Sequence, residues 1–548
     1  MKLGQLDVVT CDVLIIGGGG AGLKAAIAAR ETGADVVLVS KAHAGYANNT
    51  MLSKATFAAP SGWSNPQDNP EVFLKDAVAG GRFINDKALL SAIAKEAGLQ
   101  VPFLEKCGVK FLESKGQPLA IQVPGHSFAR HVRVREGNGS GLVLPLIKYA
   151  AQIGVRFAES IFITRLLTSK GGRIAAAEGM TRNGKVIAFL SKCFVLATGG
   201  FGQIFLHTNN APGISGDGLA LAFEAGVPLK DMEFIQFYPT AAGKMGTRIV
   251  LYEDLVLRGQ ATLKNAEGDD IVIKHGLDDV MKMTRDRLAR AIMQEVLEGR
   301  GVQGGVVMDL SRASESNLLT YRSLFKIAHQ KDFIVSPTTH FCCGGIMIDA
   351  NGETQIEGLF AAGEVCAGAH GANRLAGNAL AEVFAMGGIA GKMAARKAKA
   401  LELPPLPEKQ ITAERDRLES LGSGGYDNLR QLRRTLKETM WFEAGIIRHA
   451  KGLNRALGKI EALRSEIASL RLTNFKELIR ALELQNMLFS AEVVCRAALI
   501  RSESRGAHYR SDYPAENNQD WLKNIVISRQ NNEIKLQPVP VSMNLISA

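Results

Sequence analysis

The sequence predicts an α/β fold in which a domain built on a parallel sheet is interrupted by an α+β segment and followed by a helical C-terminal domain. Three observations carry this. First, an apolar run from Val13 to Ile16 leads into Gly17-Gly18-Gly19-Gly20-Ala21-Gly22, then into a helical stretch from Leu23 to Arg30 and a second apolar run from Val36 to Val39. That order is a βαβ unit. Second, Arg156 to Leu196 breaks into short β-rich runs (Ile161 to Thr168, Ile174 to Met180, Val186 to Phe189, Phe194 to Leu196) separated by Gly-Gly and Asn-Gly turns, as antiparallel sheet does. Third, Gly358 to Ala395 returns to a glycine-rich strand followed by a long apolar helix. Beyond the stiff Pro404, Pro405 and Pro407 linker, Leu429, Leu432, Leu436 and Met440 fall on one helical stripe. The expected organisation is a first domain part over 1–220, an inserted cap over 221–340, the domain's second part over 341–403, and a helical domain with a terminal extension over 408–548.

Composition narrows the class. The 548 residues are 46% hydrophobic and 22% charged, so a large core forms without staples and disorder as the main state is excluded. Seven cysteines stand without a C-x-x-C pair, which argues against a metal site or a disulfide framework within this chain and for a reducing, cytoplasmic setting. No stretch approaches the ~18 apolar residues of a membrane span. The net charge of +11 is spread along the chain, which steers anions in general, and no nucleic-acid motif accompanies it.

Glycine is the informative residue, with 57 in the chain where ~7% is usual. Gly17 permits the tight turn after the first strand, Gly19 lets a pyrophosphate approach the backbone, and Gly22 lets helix pack on strand; Gly20 and Ala21 open the helix whose NH groups face the anion. At the end of the second strand, where an acidic ribose ligand of NAD is expected, stand Ser40 and Lys41. Three further glycine stations follow: Ala197-Thr198-Gly199-Gly200, Ser215-Gly216-Asp217-Gly218 and Gly358 to Gly363-Glu364. Contacts drawn from segments so far apart suit a long, extended ligand, and the reading is FAD.

With these stations, Asp231 to Phe237, Thr284-Arg285-Asp286, Pro337-Thr338-Thr339-His340 and His370 to Leu375, the sequence resembles the flavoprotein family of succinate dehydrogenase, fumarate reductase and L-aspartate oxidase. Ser502 to His508 followed by Asp512-Tyr513-Pro514 resembles that family's C-terminal signature. The resemblance implies a Rossmann-like FAD domain with a capping domain over the flavin. It implies cofactor contacts from Gly17, Gly19, Gly20, Ala21, Gly22, Ser40, Lys41, Asn49, Thr50, Ala197, Thr198, Gly199, Asp217, Gly363, Glu364, Asn378, Ala379 and Leu380. It further implies that Arg285 is the acid that protonates substrate, that His340 and Arg374 hold one carboxylate, and that Glu253 belongs to the proton relay. Gly125-His126-Ser127 with Arg130 looks more like the aspartate oxidase form of its loop.

Three departures shape the expectation. Members that oxidise succinate attach FAD to the histidine of a His-Thr pair, and here the pair is Asn49-Thr50, so FAD is expected bound but unattached. Tyr238 replaces a carboxylate-binding histidine and carries no charge near pH 7, which points to a fumarate analogue with one altered end. Glu253 and Arg258 are five apart where the family's relay pair is three apart. The expected function is reduction of the C=C of a carboxylate-bearing enoate, fumarate or an analogue, with electrons from a partner, an iron–sulfur subunit by family. The alternatives are an L-aspartate oxidase-like enzyme acting alone and an electron-transfer module with a vestigial substrate site.

Overall fold

The computed structural model describes residues 1–541 apart from 64, 170, 243–248, 251–254, 257–258, 280–282, 316–331, 423, 426–427 and 532. Its largest sheet has the order Arg156–Glu159, Val36–Ser40, Leu6–Ile16, Val186–Leu196, Ile174–Thr181, Ile161–Thr168, with Leu359–Ala361 added beside Val186–Leu196. The first four of these and Leu359–Ala361 run parallel. Side chains alternate across a strand, so the apolar run at 13–16 divides between two cores: Val13 and Ile15 pack with Leu23, Ile27 and Phe384 on one face, Leu14 and Ile16 with Phe194 and Leu219 on the other. Register then decides where a ligand goes. Ile16 pairs with both Val39 and Leu196, and Leu196 with Ala361, so four strands end together at one edge. Crevices at the carboxyl ends of parallel strands are where such sheets bind ligands.

Two helices cover one face at that edge, Gly20–Glu31 and the long Asn378–Ala398. They pack so closely that a Cβ on Gly391 would sit 2.1 Å from the Ala25 carbonyl oxygen. The first helix starts three residues before the expected Leu23, because Gly20 to Gly22 already form its opening turn. The first strand likewise begins at Leu6, since its whole length pairs with Val186–Leu196. The runs Val186 to Phe189 and Phe194 to Leu196 are one continuous strand: the polar Ser191 between them is buried, its hydroxyl donating to the Cys193 carbonyl at 2.9 Å.

A second, five-stranded sheet contains Ile235–Ala242 paired antiparallel with Asp332–Cys342, which pairs in turn with Val306–Asp309. Helix Arg285–Leu297 buries Leu288 and Ile292 with Tyr238, Leu263, Val306 and Val335 in that sheet's core. Asp332–Cys342 runs past the expected boundary at 340 and carries His340 on a continuous strand into the glycines that follow.

In the C-terminal region Leu432, Leu436 and Met440 are buried on helix Leu429–Glu443, packed with Ala450–Ala468 and Phe475–Ile500. The terminal extension is a β-hairpin, Lys523–Gln530 with Glu533–Pro540, and its first strand pairs with Leu229–Lys230. Among the described residues no helix is long and apolar enough to cross a membrane.

A fully buried ion network ties the C-terminal signature to the block at 231–237. Arg501 Nε lies 2.6 Å from Glu233, Arg501 Nη1 is 3.0 Å from Glu503, and Arg505 Nε is 2.7 Å from Glu503, all four side chains having no exposed area. Removing one partner strands a charge in low dielectric, so Arg501→Leu is expected to cost ~3–5 kcal/mol. The exposed pair Arg434–Glu438, one helical turn apart, is worth less than ~1 kcal/mol. Thermal unfolding of Arg501→Leu and Arg434→Ala checks this: the first midpoint falls clearly and the second stays at the wild-type value.

Candidate active site

A cavity of about 280 Å³ opens at the shared strand edge. Its lining includes Gly17, Gly19, Gly20, Ala21, Ser40, Lys41, Asn49, Thr50, Ala197, Thr198, Gly199, Asp217, Glu364, Ala379 and Leu380, and also Tyr238, Arg285, His340 and Arg374. Of the other sequence-predicted residues, Gly22, Gly363 and Asn378 do not line it. Glu253, like Arg258, lies outside the described residues.

The glycines separate by role once space is measured. A Cβ on Gly17 would be 2.2 Å from the Ala197 carbonyl oxygen, and one on Gly22 would be 1.8 Å from that of Gly17; these two are required by the protein's own packing. Gly19 differs. The nearest atom its Cβ would meet among the described residues is in the Asn48 side chain at 3.8 Å, so its bare backbone keeps room for something the chain does not itself supply. Thr198 presents a buried hydroxyl with no hydrogen-bond partner among the described residues at the same wall. Helices beginning at Gly20, Asp217, Arg285 and Asn378 bring their N-terminal ends to the cavity, and each end favours negative charge. An anionic dinucleotide fits this cradle, and FAD would be held by the Gly19 and Gly20 backbone, Thr198 and the 377–380 turn.

Lys41 lines the cavity and is also a tie. Its ammonium is 2.9 Å from Ser215 Oγ, 2.5 Å from Asp217 and 2.9 Å from Glu483, joining the second strand to the C-terminal helix Phe475–Ile500. Thr50 accepts a hydrogen bond from the Gly20 amide at 3.2 Å. Asn49 is held on both sides of its amide: Nδ2 donates to Asn210 Oδ1 (2.7 Å) and Glu364 Oε2 (3.0 Å), and Oδ1 accepts from Ala211 N (2.9 Å). Burial pushes the Glu364 carboxyl up to about 7, against the hydrogen bonds from Asn49 and from the Cys342 amide.

The remaining four residues form a separate cluster. The Arg285 guanidinium lies over the Tyr238 ring, 4.7 Å from its centroid, and the same ring meets His340 edge-on at 5.1 Å. Tyr238 pairs with Thr338, and His340, two residues on, falls in the register shift between the Phe237–Thr339 and Gln236–Phe341 pairs. His340 is neutral, because burial and then the charges of Arg374, Arg285 and Lys54 push its pKa well below the usual value. Its Nδ1 faces the Asn209 side-chain amide, 3.0 Å from Nδ2 and 3.3 Å from Oδ1; an Nδ1 that accepts from the nearer Nδ2 leaves the ring proton on Nε2. Arg374 is buried, stacked 4.6 Å from the Phe341 centroid, with Nη2 donating to Gln236 Oε1 at 2.9 Å. Gln236 in turn donates to Asn373 (2.7 Å), which donates to Asp286 beside Arg285 (3.1 Å).

Sequence reasoning did not nominate Asn209, Asn210, Gln236 or Lys54. The first two sit between the stations at 197–200 and 215–218, a position that could have drawn attention. Lys54 lies in a loop with no pattern around it, and only the fold brings it to the cavity.

Fold and cavity together define a flavin-dependent oxidoreductase. The FAD binding domain model matches residues 12–380, and the fumarate reductase flavoprotein C-terminal model matches 433–547. The chain belongs to the fumarate reductase and succinate dehydrogenase flavoprotein family. It is 34% identical to a subunit of the CoM/CoB fumarate reductase of Methanothermobacter marburgensis, covering 96% of this chain and 98% of that one. It is 31% identical to L-aspartate oxidase of Acinetobacter baylyi, over 96% and 98% of the two chains. The structure of an E. coli quinol fumarate reductase variant superposes with a TM-score of 0.91 at 26% identity, over 99% of this chain and 98% of that one.

Two outcomes follow. Gly19→Ala has room in the free protein, so its thermal midpoint without FAD is unchanged, while FAD binding weakens by ~1–3 kcal/mol from the lost close approach, measured by fluorescence titration. Glu364 becomes anionic as pH rises through about 7. The flavin absorbance is therefore expected to titrate in that region and to lose the step in Glu364→Gln.

Proposed function

We propose that the chain is the flavoprotein subunit of a fumarate reductase-type enzyme, reducing the C=C of an unsaturated carboxylate with electrons from a partner chain. The observation that carries this is the convergence of Arg285, Tyr238, His340 and Arg374 on the cavity that also contains the glycine cradle. FAD bound there supplies hydride from N5 to one alkene carbon. Arg374 and neutral His340 grip a carboxylate, the guanidinium by its planar fork and the imidazole by Nε2–H. Drawing electron density into that carboxylate polarises the double bond. Arg285 delivers a proton to the neighbouring carbon, and its position at the start of helix Arg285–Leu297 fixes the guanidinium against Tyr238. An arginine can serve as acid here only because the carbanion it meets is a strong base. Arg374 is buried, and His340 is half-buried at the cavity wall.

A partner is supported by relatives whose names make them single subunits of fumarate reductases, one of them the flavoprotein subunit, and the family resemblance makes that partner an iron–sulfur protein. FAD is bound without a covalent link, since Asn49 offers no nucleophile and its amide is already held at both ends.

A second reading, L-aspartate oxidase chemistry without a partner, is favoured by the 31% identity to that enzyme and by Gly125-His126-Ser127. Peroxide and iminoaspartate formed from aspartate would select it.

The test of the first reading uses the purified chain with FAD, reduced viologen as donor and fumarate as acceptor. Wild type turns over, and Arg285→Gln loses ~10²–10⁴-fold in rate while retaining its flavin spectrum. Acid precipitation releases all the yellow colour into the supernatant. Unchanged turnover in Arg285→Gln, or colour held in the pellet, contradicts the proposal.

A further inference from the structure

The Gly125-His126-Ser127 loop contributes nothing to the cavity lining, yet it reaches the turn that opens helix Asn378–Ala398 from behind. His126 Nε2 lies 2.9 Å and His131 Nε2 2.8 Å from one atom, the Ala376 carbonyl oxygen. A carbonyl only accepts, so both imidazoles carry a proton on Nε2 and donate it to that oxygen. The two rings meet edge to face, with 5.1 Å between centroids. Both are buried, and burial, with His131 and Arg130 as neighbours, pushes the His126 pKa well below its usual value. His126 Nδ1 is buried with no hydrogen-bond partner among the described residues. An apolar side chain would avoid that desolvation cost, so the histidine is there for its N–H rather than for packing. The loop is fixed in turn. Arg130 is buried 2.7 Å from Asp68 and 3.0 Å from Asp76, and Ser127 N and Oγ donate to Asp76 at 2.8 and 2.6 Å.

The opposite side of the same peptide faces the cavity. The peptide is trans, so its C=O and N–H point in opposite directions. The Ala376 carbonyl points back at two imidazoles that lie outside the lining, and Gly377 is part of the lining, so the Gly377 N–H points into the cavity. That N–H has no hydrogen-bond partner among the described residues. The position admits only glycine: φ is +74°, and a Cβ would lie 2.5 Å from His131 Nε2. Two donors on the carbonyl draw electron density through the amide and make its N–H a stronger donor. We infer that His126 and His131 are positioning residues for the flavin, which through the Ala376–Gly377 peptide aim and strengthen an N–H that stabilises the reduced cofactor. The inference rests on FAD in the cradle and not on the enoate as substrate. Two electrons and one proton added to FAD leave it with one more negative charge. A donor fixed in advance beside a helix N-terminus favours that charged form over the oxidised one, and so raises the potential of the bound flavin.

The experiment equilibrates FAD-loaded full-length protein with a reference dye, which reads the flavin potential with no substrate present. Wild type is compared with Leu, Asn and Gln variants at each histidine. Leucine has no donor and asparagine is one bond too short to reach the Ala376 oxygen, whereas glutamine carries its amide nitrogen as far from the backbone as Nε2. His126→Leu, His131→Leu, His126→Asn and His131→Asn are expected to keep FAD and to shift the equilibrium ~10-fold towards oxidised flavin, about 30 mV for a two-electron couple. His126→Gln and His131→Gln stay within about threefold of wild type. Thermal midpoints taken without FAD give the packing cost of each variant, and the potentials do not follow them. Where a Leu variant does not fold, the Asn and Gln pair at that position decides. Unshifted potentials in the Leu and Asn variants, an equal shift in the Gln variants, or potentials that track the thermal midpoints each overturns the inference. So does release of FAD from the variants, a raised KM for fumarate at unchanged potential, or failure of every variant to fold. A wild-type chain that takes up no FAD overturns the flavin reading instead. One that binds FAD and leaves fumarate unreduced fails only the enoate reading, and its potentials still decide the role of the two histidines.

Discussion

Four helices begin at one cavity, and this electrostatic convergence is the constraint on which the rest of the molecule depends. Each N-terminal end contributes roughly half a positive charge. The parallel register of the main sheet aligns Ile16, Val39, Leu196 and Ala361 at one level, beside the helices that begin at Gly20, Asp217 and Asn378, while the helix at Arg285 comes from the second sheet's core. Lys54, Arg285 and Arg374 add to the field, while Lys41 is balanced by Asp217 and Glu483. The acids at the wall do little to cancel it: Asp217 is paired with Lys41, and burial pushes Glu364 towards its neutral form. Such a cavity favours negative ligands, and a dinucleotide with an acid beside it meets the demand.

The second sheet sets the chemistry apart from the cradle. Tyr238 and His340 meet edge-on across neighbouring strands, and helix Arg285–Leu297 packs its first residue over the same ring. Three elements of one small core thus fix Arg285, the Tyr238 ring and the His340 imidazole relative to each other, while Arg374 is reached through Gln236. Because Gln236 precedes Phe237 and Tyr238 on one strand, the hydrogen bond to Arg374 is also the joint between cap and cradle. A displacement of that strand would move the carboxylate grip and the acid together.

Much of this was legible because backbone proximity leaves a mark in composition. Gly17 and Gly22 are glycines for packing reasons and Gly19 for a ligand, yet all three appear in one motif. The strand, helix and cap order could be read from periodicity, as could the stripe of Leu432, Leu436 and Met440. What could not be read was whatever depends on distant partners. Ser191 broke one strand into two in the sequence pattern, although its hydroxyl is satisfied locally inside the sheet. Lys41 was expected only as a cofactor contact, and its ion pairs were not legible because Asp217 and Glu483 lie far along the chain. Lys54 had no signal at all, because a lone lysine in a loop acquires meaning only from the walls around it. The terminal hairpin showed as an extension because its pairing partner, Leu229–Lys230, is about 300 residues away.

The most direct measurement is a crystal structure of the chain grown with FAD and fumarate. The expected result has the isoalloxazine ring against the turn at 377–380, with the dicarboxylate lying across it, one end on Arg374 and His340 and an alkene carbon within reach of the Arg285 guanidinium. FAD density in the cradle with the acid absent from this cluster, or with Arg285 turned away from the ring, would contradict it.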